Sequence, residues 1–140
     1  MKEGYFFKSR LFQIEPGEDE ETNPRRYGRQ LAVWMKGRLE SVGYETEDVI
    51  PEDWGWCVVC KREPFMLFVA CGNVKDYDTA RPGDPPPLPE AIVWHCVPHA
   101  QVSILKRMFR KVDATPALDK LDAALKSIIS AEPGIEVTAA

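Results

Sequence analysis

The sequence predicts an α+β fold: a two-layer sandwich with a mainly antiparallel sheet of four to five strands and two main helices packed on one face. Three observations carry this. In WGWCVVCKREPFMLFVACGN, two apolar runs flank a polar turn at residues 61–64, the pattern of a β-hairpin. Two stretches, 23–43 and 115–134, repeat apolar residues at helical spacing between recognisable start and stop residues. With 140 residues, 44% apolar and 29% charged side chains, the chain has the size and composition of one globular domain, 1–140.

Residues 5–14 read as the first strand, with Tyr5, Phe7 and Leu11 alternating against Lys8 and Arg10. An acidic loop at 15–22 breaks the pattern. Asn23 and Pro24 mark a helix start, the first as cap and the second at a position needing no N–H. Tyr27, Leu31, Trp34, Met35, Leu39 and Val42 form its apolar stripe, and Gly43 supplies the stop. Arg38 falls inside the stripe, so it must snorkel past the helix end or meet a carboxylate.

A second strand is expected at 44–50, ending at Pro51. In the hairpin, pairing Cys60 with Phe65 puts Trp54, Trp56, Val58, Leu67, Val69 and Cys71 on one face. The other face carries Cys57, Val59, Met66, Phe68 and Ala70. The proline-rich loop 81–89 reads as a stiff connector to a further strand at 91–97. A short helix at 102–112 would use Val102, Leu105, Phe109 and Val112. In the last helix Thr115 caps, Pro116 opens, and Leu118, Leu121, Leu125, Ile128 and Ile129 make one stripe.

Two helices can cover one face of such a sheet, yet the central strands are apolar on both. The second face therefore needs a cover: the proline loop, a second subunit or a partner, or a ligand.

The net charge of −4 argues against a dedicated nucleic-acid binder. The first residues do not form a signal peptide, and no apolar run reaches membrane-helix length, so a cytoplasmic protein is expected. The four cysteines lie in apolar surroundings and read as reduced core thiols. Cys57 and Cys60, three apart on a strand, point to opposite faces and cannot share a metal. His95 and His99 would share a strand face about 13 Å apart, at ~3.3 Å per residue. Lys106, Arg107, Arg110 and Lys111 read as the solvated side of the short helix. No metal site, cofactor or catalytic residue is implied.

The functional expectation is a protein-interaction or accessory module without catalytic activity, taking a protein partner or forming a homodimer. Its interface candidates are Glu18, Asp19, Glu20 and Trp94. The alternative is a small-ligand or anion-binding domain. There Arg25, Arg26 and Arg29 crowd a helix N-terminus, where cations sit badly, and Asp53, Trp54 and Trp56 form a pocket rim. A third reading is an enzyme pairing Cys71 or Cys96 with His95.

Overall fold

A computed structural model describes residues 2–74, 81–109 and 112–139. One antiparallel sheet carries six strands in the order β2-β3-β4-β5-β1-β6. These are β1 (Tyr5–Ser9), β2 (Ile50–Glu52), β3 (Gly55–Lys61), β4 (Met66–Asn73), β5 (Trp94–Gln101) and β6 (Ile135–Thr138). The helices are α1 (Arg29–Ser41), the short α2 (Ile104–Phe109) and α3 (Thr115–Ala131). No helix among the described residues is long and apolar enough to cross a membrane.

The α+β architecture with helices on one face is the predicted one, with one strand more than expected. β6 is the addition. It is only four residues long and follows Pro133-Gly134 directly, too short for its alternation to register. It pairs with β1, so Lys8 lies opposite Glu136 at the sheet edge.

α1 packs on β3 and β4, and α3 on β5 and β6. Leu31, Met35, Leu39, Leu121, Leu125 and Ile129 meet Phe7, Trp56, Val58, Val69, Trp94 and Cys96 in one buried cluster. Each of these aliphatic side chains, fully buried, stabilises by roughly 1.5–3 kcal/mol. Leu118 and Ile128 of the predicted α3 stripe are half-buried flanks. Arg38 does both things asked of it: it lies over the Trp34 ring at 5.4 Å and meets the Glu132 carboxylate at 3.4 Å.

Several boundaries differ from the sequence reading. α1 begins at Arg29 rather than at Pro24, because the preceding segment is held by the sheet instead. The Asn73 side chain accepts from Tyr27 N (2.9 Å) and donates to Arg25 O (3.1 Å), and Arg25 turns through φ 64°. Asn23 does not cap; its side chain donates to Asp53 O at 2.9 Å. Val42 is exposed past the helix end.

β1 stops at Ser9, leaving Leu11 exposed and Phe12 buried. β2 falls at Ile50–Glu52 and includes Pro51, which an edge strand tolerates. β5 runs through Pro98 to Gln101. β1 flanks it only at Trp94–Cys96, so Pro98 sits where β5 has a free edge.

Apart from Trp54, the hairpin faces are as expected, but the register is shifted by two: Trp56 opposes Cys71 and Val58 opposes Val69, with a bulge near Cys60. An even shift leaves every side chain on its face. Leu105 is exposed rather than apolar-facing, while Val102 and Val112 pack on the core. Arg110, Lys111 and the Phe109 side chain lie outside the described residues. Ala114, not Thr115, holds the cap position of α3, and the Asp113 carboxylate before it accepts from Thr115 N at 3.0 Å.

Candidate functional site

Alternation along β4 and β5 sends Phe68, Ala70 and Gly72, with His95, Val97 and His99, to the face away from α1 and α3. The register sets Phe68 beside His99, Ala70 beside Val97, and Gly72 beside His95. On β1, Phe6 lies opposite His95. The result is two ring pairs separated by small residues. Phe6 and His95 stack at 4.1 Å between centroids with planes 3° apart; Phe68 and His99 stack at 5.1 Å and 24°.

Between the pairs lies a cleft of about 380 Å³, floored by Ala70, Gly72 and Val97. Trp54 forms one wall, its ring 6.4 Å from Phe68. Strand alternation puts Trp54 on the same face as Trp56. Gly55, at φ 146°, turns the chain before alternation begins, and Trp54 lands on the opposite face. Only glycine fits at that turn: a Cβ on Gly55 would stand 2.6 Å from the Cys71 carbonyl oxygen. Gly28 (φ 137°) approaches the same carbonyl from the other loop, where a Cβ would stand at 3.1 Å. These two close approaches carry Trp54 and Arg26 to the rim of one cleft, at the end where Asn73 closes β4.

The imidazoles are differently held. His95 Nε2 bonds Glu3 O at 2.8 Å. A carbonyl only accepts, so Nε2 carries hydrogen and Nδ1 is the ring's second hydrogen-bonding atom. His99 is partly buried, which together with the neighbouring His95 pushes its pKa below the usual histidine value. Arg26, His95 and His99 give the cleft a basic lining, and no carboxylate is among its described lining residues.

Most of the other residues singled out by sequence have partners within the chain or are buried. Glu18 is 3% exposed, and its carboxylate accepts from Glu15 N (2.7 Å), Gly28 N (2.8 Å) and Arg29 N (3.0 Å). The amides at the start of α1 thus receive an anion from the chain itself. Arg29 pairs with Glu15 at 3.2 Å and lies over the Trp56 ring at 5.9 Å. Arg25 N donates to Asp19 at 2.9 Å. Trp56 and Trp94 are buried under the helices. Asp53 is exposed in the turn that carries Trp54, with its carbonyl held by Asn23. Of the four interface candidates, Asp19 and Glu20 keep surface.

Cys71 and Cys96 are not brought to His95. They oppose each other on the helix side, Sγ to Sγ 3.7 Å, where their mutual hydrogen bond and burial hold the Cys71 thiol well above its ordinary pKa. Burial likewise pushes Cys57 and Cys60 up to about 12. All four thiols are free. Among the described residues no group of three or more His, Cys, Asp or Glu is placed to hold a metal ion.

A second cavity, of about 850 Å³, lies between the acidic and proline loops, over Phe12, Tyr27 and Ile92. The proline loop therefore lines this cavity and contributes no lining residue to the sheet-face cleft. Three of its carboxylates already hold the loops: Glu15 on Arg29, Asp19 on Arg25 N, and Asp84 on Arg81 N.

The sequence reading singled out Arg26, Trp54 and the His95–His99 pair, but it did not join them with Phe6 or Phe68 in one site. The available signal was one or two aromatic or histidine residues on the same face of each of three neighbouring strands, which needs the strand order to be seen. Comparison of the chain with protein-family models, curated proteins and solved structures returns no match.

Proposed function

We propose that the protein is a small-ligand-binding module whose site is the cleft on the helix-free face of the sheet. One observation carries the reading: an apolar floor of Ala70, Gly72 and Val97 enclosed by Trp54, Phe68, His95 and His99. Its volume of about 380 Å³ falls within the ~300–1,000 Å³ of typical ligand pockets. Apolar walls with few polar groups are also the usual composition of such sites. The floor, Phe68 and the two histidines stand on paired strands, so these rings are held before a ligand arrives, while Trp54 comes from the turn before β3.

A ¹H–¹⁵N NMR screen of small aromatic and aliphatic fragments tests this. Bound fragments should shift the amides of Ala70, Gly72, Val97 and His99. Shifts confined to the acidic and proline loops, or none across the screen, would overturn it.

A protein-interaction role is a second reading, favoured by a different place. Ile104, Leu105 and Met108 of α2 are 75%, 69% and 69% exposed, side by side on a six-residue helix. Lys106 Nζ ties that helix to Glu63 and the Pro64 carbonyl. Contiguous exposed apolar side chains of this kind mark partner surfaces. Replacing all three by Ser should leave fragment binding at the cleft intact while abolishing capture of a protein partner.

A further inference from the structure

Resting on the cleft as the binding site, we propose that its ligand is a flat aromatic anion, of the chemical class of aromatic carboxylates. Two independent features of the cleft select for these two properties.

Flatness follows from the rings. Phe68 is stacked between Trp54 (interplanar 23°) and His99 (24°), and Phe6 is nearly coplanar in orientation with His95 (3°). Along β5 the two histidines are four residues apart, about 13 Å at ~3.3 Å per residue. Between them the lining falls to Ala70, Gly72 and Val97, side chains too small to fill the interval. A planar ring entering that interval finds aromatic partners already ordered, and aromatic pairs gain beyond their buried area. A puckered, saturated body of the same size gains the burial without the stacking.

The sign of the charge follows from the ionisable residues. The chain carries −4 overall, yet the described lining of this cleft holds two imidazoles and a guanidinium side chain and no carboxylate. His95 is bonded to a backbone carbonyl, and neither imidazole has a carboxylate partner among the described residues. Among the described residues neither imidazole has a counter-charge, and His95 acts against protonation of His99. A carboxylate in the interval acts the other way on His99 and favours its imidazolium form. A cationic ligand would oppose that form, as His95 does.

Three probes of related skeleton separate the properties: 2-naphthoate (flat, anionic), decahydro-2-naphthoate (puckered, anionic) and 2-naphthylmethylammonium (flat, cationic). Each is titrated at pH 6.5 and followed by the amide shifts of Ala70, Gly72 and Val97. Naphthoate should bind at least tenfold more tightly than either of the others. Trp54→Leu should shrink the aromatic-over-saturated ratio several-fold, and His99→Gln the anion-over-cation ratio. Decahydronaphthoate binding as tightly as naphthoate would overturn the aromatic selection; the ammonium probe binding as tightly would overturn the charge assignment. Either result would leave the cleft as a binding site. Binding by none of the three, with none of the screened fragments reaching the cleft, would overturn the site itself.

Discussion

The two faces of the sheet are built from the same strands and used differently. On the helix side, Phe7, Val58, Val69, Trp94 and Cys96 are buried against α1 and α3, and their chemistry is that of close packing. On the other side, Phe6, Phe68, Ala70, His95 and His99 are half-buried, although Cys57 and Val59 beside them are fully covered. A sheet needs only one packed face to be stable. On the proposed function the rings of the second face serve recognition, so that stability and binding separate across the thickness of one sheet.

The largest expected effect breaks that comparison directly. Leu125→Ala should destabilise the protein by about 2–5 kcal/mol, the cost of lost burial plus a cavity. Phe68→Ala on the other face should cost about 1 kcal/mol or less, since its environment is already part solvent. Urea unfolding of the two variants checks this; equal losses would show that both faces are structural.

Next is Glu18, which asks whether the acidic loop belongs to the surface or to the fold. Glu18→Ala leaves the amides of Glu15, Gly28 and Arg29 without their acceptor and should cost about 1–3 kcal/mol. Glu18→Gln, which keeps an acceptor oxygen, should recover part of the loss. A stability unchanged in both would place the loop outside the cooperative unit.

The thiols give a third measure. Cys57 and Cys60 are pushed up to about 12 by burial, so the folded state favours their neutral form. Their contribution to stability is complete below the ordinary thiol value near 9 and is lost as pH rises towards 12. At pH 8 a thiol reagent should label the folded protein slowly and react with all four cysteines only on unfolding. Fast labelling of one cysteine in the folded state would contradict the burial argument.

The smallest effect belongs to His99. Its lowered pKa means the fold favours the neutral ring, so this stabilisation is present above about pH 6.5 and declines as pH falls. The melting temperature of the wild type should drop more steeply below pH 6.5 than that of His99→Gln. Parallel curves would show that His99 titrates as if in solvent.

Much of the fold was legible because it rests on local periodicity: the α3 stripe, the two apolar runs of the hairpin and their division into faces. The start of α1 was not, because Asn73, nearly fifty residues away in the chain, holds the Arg25–Tyr27 backbone out of the helix. The hairpin register was missed by two residues because the turn lies further along the chain, with β3 running to Lys61 and β4 starting at Met66.

The site was half visible. Arg26 and Trp54 carried local oddities, a cation at a helix start and a tryptophan in a tight turn. Phe6, Phe68 and His99 carry none, and their meaning comes from a cross-strand register among three strands. His95 and His99 do share a face, as strand geometry required, and each stacks on a phenylalanine ring.

The most direct test of the account is a crystallographic soak with 2-naphthoate. The account predicts density for the naphthalene ring between Trp54 and the histidines of β5, over Ala70 and Gly72, with the carboxylate turned to His95 or His99. Density only in the cavity between the acidic and proline loops, at concentrations that saturate the NMR shifts, would contradict it.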